Sequence, residues 1–230
     1  MLQNHPRSYA LPGVKIPLDV RESWHPWIQE FVGLESAAAT GRLHDRWASI
    51  GRGSILALRS TLSAFEVREI VDFGDGGMIK AIRPDADDEA VGNCFYLPAP
   101  LDSEVLNSRL SSVSLSENQA LQEFMRHFAG LSEDTTVAGH FVYSESPWPV
   151  FDDRWIEPID DEEEFEEWKG SLMLFHARNG CHVLMHPSGR VAWWVMQEAS
   201  IDAIAGSFED FVSRFNDHRK LASPYDPYGP

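Results

Sequence analysis

The sequence predicts an α+β fold built on a mainly antiparallel or mixed sheet. Residues 171–196 read as a three-stranded meander with two compact turns, and two segments, about 117–129 and 208–219, carry apolar residues at helical spacing. The composition, 43% hydrophobic and 11% aromatic over 230 residues, supplies a real core. Both helices are expected to pack their Phe stripes on that sheet.

From the N-terminus, "SWHPWIQEFVG" predicts a short helix. Ser23 is a candidate cap, Pro26 is tolerated in the first turn, Trp27, Ile28 and Phe31 share a face, and Gly33 is a stop. "GSILALRS" predicts a strand at 54–58. "VREIVDFGDGGMIKAI" predicts a hairpin turning at Gly74–Gly77, and "CFYLPAPL" a short strand ended by prolines. The Ser-rich residues 102–115 read as a seam. This divides the chain into an N-terminal part, 1–110, contributing to the same core, a second part, 111–222, and a Pro-rich tail, 223–230, expected to be disordered.

In the second part, "SENQALQEFMRHFAGL" has a Ser116-x-x-Gln119 capping box, with Leu121, Phe124, Met125 and Phe128 on one face and Gly130 at the C-cap. "VAGHFVYS" predicts a strand at 137–143, and 145–160 an irregular stretch. "DDEEEFEEWKG" predicts a short helix with Phe165 and Trp168 turned inward. Strands at 171–177, 181–186 and 191–196 follow, joined by an Asn179-Gly180 turn and by Pro187-Ser188-Gly189. "SIDAIAG" predicts a short helix. "SFEDFVSRF" predicts another, capped by Ser207, with Phe208, Phe211, Val212 and Phe215 as its stripe.

The charge narrows the function classes. A net charge of −17 repels phosphate backbones, which argues against nucleic acid and favours encounter with a basic protein. No stretch approaches the ~18 apolar residues of a membrane span, and no basic, then apolar, leader opens the sequence. Two cysteines, Cys94 and Cys181, are too few for a disulfide framework, so reduced thiols in a cytoplasmic protein are expected. Residues 157–167 hold eight acids in eleven positions, a solvated helix face or a docking patch for a cationic partner. Asp160, Asp161, Glu162, Glu163 and Glu164 are the candidate partner-binding residues.

"RNGCHVLMHPSGRVAWW" (178–194) is the one stretch with the residue types of a reactive or metal site. Strand alternation argues against it. Cys181 faces away from His182, and His182 lies about 13 Å from His186 at ~3.3 Å per residue. A two-residue Asn-Gly turn would pair 177 with 182 and 176 with 183, turning His176 away from His182. No P-loop, dinucleotide fingerprint, calcium loop, Gly-x-Ser-x-Gly or His-Glu-x-x-His occurs. No catalytic, cofactor-binding or metal-ligating residue is therefore expected.

From Ser116 to about Lys220, under half of the chain, the order of elements resembles the SUKH superfamily, which includes fungal cell-wall-synthesis regulators and bacterial immunity proteins against polymorphic toxins. "LQEFMRHFAGL" is similar to the family's early helix and Gly-containing turn. "WKGSLMLFHARNGCHVLMHPSGRVAWW" resembles its core strands, and "EASIDAIAGSFEDFVSRF" its closing helices; "DRWIEPI" corresponds to the linking segment. The family's Leu-Pro entry into the first helix is "LSEN" here, and residues 1–110 have no counterpart. The resemblance implies a module that binds proteins and has no chemistry of its own, with a basic nuclease-type toxin as the partner that the acidic charge suits. Two alternatives stand beside it: a small hydrolase or metal-dependent enzyme using His127, His140, His176 and His182, and a regulatory adaptor with no toxin partner.

Overall fold

The computed structural model describes residues 6–12, 16–51, 53–74, 76–84, 92–133, 139–143, 147–155, 162–177 and 180–228. The fold is α+β, and among these residues nine strands pair antiparallel in chain order. β1 (Arg7–Ala10), β2 (Glu66–Asp72), β3 (Gly77–Ile82) and β4 (Cys94–Pro98) form a four-stranded meander. β5 (His140–Phe141), β6 (Leu172–His176), β7 (His182–Met185), β8 (Val191–Val195) and β9 (Ser200–Ala205) form a five-stranded one. Ser132 joins the two. Its N–H and C=O each bond Tyr96 of β4 at 2.9 Å, and it lies opposite His140 of β5. Flanking bonds from Glu133 N to Gly139 O and from Phe141 N to Leu131 O, both 2.9 Å, complete the junction.

The helices are α1 (Leu18–Ser23), α2 (Pro26–Gln29), α3 (Ser36–Arg46), α4 (Gly53–Leu62), α5 (Ser103–Ser112), α6 (Gln119–Phe128), α7 (Glu162–Trp168) and α8 (Phe208–Lys220). α2 starts at Pro26 and is capped by His25, whose Nδ1 accepts from Trp27 N at 3.1 Å. Ser23, the expected cap, instead closes α1 by donating to Val20 O. α3 is tied to β2 twice, through Ser36 Oγ to Val67 O (2.6 Å) and Val67 N to Thr40 Oγ1 (2.9 Å), at the point where the β2–β3 register slips. α6 is capped by Asn118, whose side chain accepts from Leu121 N at 2.9 Å, rather than by Ser116. Ser207 caps α8 by accepting from Asp210 N.

One apolar cluster runs from Tyr9 to Tyr225 between the helices and the inner face of both meanders. Its centre is aromatic: Phe141 of β5 lies 4.6 Å from Phe124 of α6 and 5.2 Å from Phe215 of α8, ring centre to ring centre. Beside it sits a buried ion pair. Arg219, 1% exposed, meets Glu133, 2% exposed, at 3.4 Å, and donates to the carbonyls of Gly92 (3.0 Å) and Cys94 (2.9 Å). Burial pushes the Glu133 carboxyl up and the Arg219 guanidinium down from their ordinary pKa values, each against the attraction of the other. The backbone N–H of Tyr225 also donates to Glu133.

Four expectations are corrected. Residues 54–58 belong to helix α4, because Ile55, Leu58 and Leu62 recur at helical steps and bury together against α6 and α8. The Ser-rich seam is helix α5, with Leu106 and Leu110 one turn apart in the core. "SIDAIA" is strand β9, because pairing along β8 outweighs its weak helical pattern. The tail packs: Tyr225 is buried against Phe175, Trp193, Phe211 and Phe215, so residues 223–228 are part of the fold.

Candidate functional site

The C-terminal meander has a second, outer face, and it carries the site. In β7 and β8, Val183, Met185, Val191, Trp193 and Val195 point to the helices, so His182, Leu184, Ala192 and Trp194 point outward. β6 joins this pattern through a register shift. Met173 pairs with Leu184 but Phe175 pairs with Val183, so Leu174 and Phe175 both face the core and His176 emerges on the outer face.

The expected separation of His176 from His182 is thereby overturned. Ala177 N donates to Cys181 O at 2.9 Å, which leaves three residues, 178–180, in the connection instead of two. His176 then stands directly opposite His182, and His140 opposite His176. Three histidines form a row across three strands. The His140 and His176 rings stack with centres 5.1 Å apart, and the His176 and His182 rings meet edge to face at 4.8 Å. The two Nδ1 atoms of His176 and His182 are 2.9 Å apart, so one donates and the other accepts. His182 stacks on Trp194 at 5.2 Å, and Trp155 lies 6.1 Å from His182 and 5.1 Å from Trp194. Burial, then the neighbouring His176 and His140, push the His182 pKa down to about 4, so its imidazole is neutral at pH 7. The indole N–H groups of Trp155 and Trp194 are buried there and find no acceptor among the described residues.

This row lies at one end of an outer apolar cluster of Phe151, Phe165, Trp168, Met173, Leu184, Ala192, Trp194 and Ile201, with Trp155 packed against it. Trp155 packs on that cluster, and Phe165 and Trp168 of α7 are part of it, with Phe165 5.0 Å from Phe151 and Trp168 5.7 Å from His186. The polar face of α7 turns outward: Glu163, Glu166 and Glu167 are exposed and Glu164 is half-buried. Arg190 pairs with Glu167 at 2.7 Å and covers the Trp168 ring, while Lys169 pairs with Asp153 and Glu166. Of the five expected partner-binding residues, Glu162, Glu163 and Glu164 open α7; Asp160 and Asp161 lie outside the described residues.

His127 stands apart on α6. It lines a surface cavity with Gln119, Gln122, Glu123 and Arg126, and burial together with Arg46 and Arg126 holds its pKa down to about 4. Cys181 is buried on the core side; burial, Glu198 and Asp226 push its thiol up, opposite to what a nucleophile needs. Neither Cys94 nor Cys181 is in a disulfide. Among the described residues no three His, Cys, Asp or Glu side chains are arranged to hold a metal ion, and no helix is long and apolar enough to cross a membrane.

Sequence reasoning missed the histidine row. One signal for it was present: His176 and His182 are equidistant from residue 179, so any odd-length connection centred there pairs them. Comparison with protein-family models, with curated proteins and with solved structures gives no match in any of the three.

Proposed function

We propose that this protein is a non-catalytic cytoplasmic binding module that docks a basic protein on the acidic face carried by α7. One observation supports the reading above the rest. Phe165 and Trp168 are buried at 2% exposure each while Glu163, Glu166 and Glu167 between and beside them are exposed, so carboxylates are displayed on an anchored helix. Residues 150–170 hold ten acids against two bases, which concentrates negative charge in this segment of the sequence. Such a patch accelerates encounter with a cationic surface and competes with phosphate for it. The resemblance of residues 116–220 to the SUKH superfamily makes a basic toxin the favoured partner and neutralisation by direct contact the favoured mode.

Affinity capture with the full chain tests this. The wild type is compared with Glu163→Lys/Glu166→Lys and with Glu35→Lys/Asp45→Lys, a charge reversal on α3 and its cap. The expected partner is basic, is retained by the wild type and the α3 variant, and is lost by the α7 variant and in ~0.5 M salt. A partner held equally by all three proteins at high salt overturns the proposal.

A further inference from the structure

We propose that His176 and His182 form a cross-strand chelate for a first-row divalent transition-metal ion, independent of the acidic docking face. The argument begins with spacing. Imidazole nitrogens bind such ions at about 2.0–2.1 Å. Two bonds of that length from nitrogens 2.9 Å apart meet at roughly 90°, the cis angle of square-planar and octahedral complexes. Opening the pair to about 3.4 Å, a rotation of two side chains, gives the tetrahedral angle that zinc prefers.

The scaffold supports the spacing. Both residues lie on paired strands rather than loops, and His182 is held between the His176 ring and the face of Trp194. The chemistry is also suitable. In the metal-free pair one Nδ1–H donates to the other Nδ1. To bind both nitrogens, the proton held between them leaves that position, to the donor ring's Nε2 or to solvent. Among the described residues no third His, Cys, Asp or Glu joins the pair, and the remaining coordination positions go to water or to a group brought by another molecule. Neutral nitrogen donors select copper(II) and zinc over magnesium.

Titration calorimetry of the tag-free full chain with copper(II), zinc and magnesium chlorides tests the assignment. The expected result is one equivalent of copper(II) or zinc and no magnesium. His176→Gln and His182→Gln each weaken binding by about tenfold or more, and His186→Gln leaves it unchanged. Far-UV circular dichroism establishes that each variant is folded. The wild type gives a readout that needs no variant: saturating zinc protects His176 from diethylpyrocarbonate, read by peptide mass spectrometry. Absence of stoichiometric binding, binding that survives His176→Gln/His182→Gln, or equal modification of His176 with and without zinc overturns the proposal.

Discussion

The two meanders share one inner core but differ on their outer faces. The N-terminal sheet has a thin outer cluster: Val71, Cys94 and Tyr96 are buried, while Phe73, Met78 and Ile82 remain partly open, and Lys80 reaches Glu69 alongside them at 3.6 Å. The C-terminal sheet carries a full aromatic layer under α7 and the 151–155 segment. A sheet needs only one covered face to fold. The second layer at the C-terminal end therefore marks where this molecule positions something besides its core, namely an acidic helix and a row of histidines.

The largest effects are expected where the two halves meet. Arg219→Met leaves Glu133 buried and unpaired and should cost ~3–5 kcal/mol in urea unfolding, while the double change Glu133→Leu/Arg219→Met should restore much of the loss. If the single change is harmless, the ion pair does not join the halves energetically. Next, Trp194→Ala should cost about 3 kcal/mol or more, because the side chain is wholly buried against Phe151, Trp155 and His182. Tyr96→Ala, on the thinner outer face, should cost less. Equal values for the two would erase the contrast between the sheets.

Gly139→Ala should cost roughly 1–3 kcal/mol. A Cβ there would fall 2.0 Å from the Phe175 ring, so either the ring or the β5 backbone that places His140 must move. Acid comes next. His127 and His182 have folded pKa values of about 4, below the unfolded value of 6.5, so between those limits the unfolded chain binds protons that the folded chain does not. Stability should therefore be fully present above about pH 6.5 and fall as pH drops toward about 4. His182→Phe should flatten that slope in part, with the His127 contribution remaining; an unchanged slope in melting temperature against pH would count against the burial of His182. The smallest effect is expected from Glu163→Lys/Glu166→Lys, within about 0.5 kcal/mol, because both carboxylates are exposed. That change is meant to alter binding and leave folding intact.

Much of the fold was readable because its signals are local. The Gly-rich turn between β2 and β3, the Pro-Ser-Gly turn before β8, the inward pair Phe165 and Trp168, and the stripes of α6 and α8 each follow from spacing within a few residues. The errors share a cause. Ile55, Leu58 and Leu62 form a short apolar run that fits a strand or a buried helix equally well until α8 is in place. Residues 200–205 become a strand because β8 offers a partner. The histidine row depended on a three-residue connection, which sets His176 opposite His182, while the register shift in β6 turns both Leu174 and Phe175 to the core; neither is marked in composition or periodicity. The acidic helix was found from charge alone; its place in the outer cluster was not, because Trp155 and Phe151 lie far from α7 in any pattern the sequence displays.

Ser132 has one more consequence. Two separate meanders would present four open sheet edges, each a row of unsatisfied backbone groups able to recruit another chain. Among the described residues, Ser132 pairs with β4 on one side and lies opposite β5 on the other, and so interrupts two of them. The two that remain are protected by different means: β1 is only four residues long, and β9 carries the exposed Asp202. Among the described residues, attachment by backbone pairing is thus limited to two short, guarded strands.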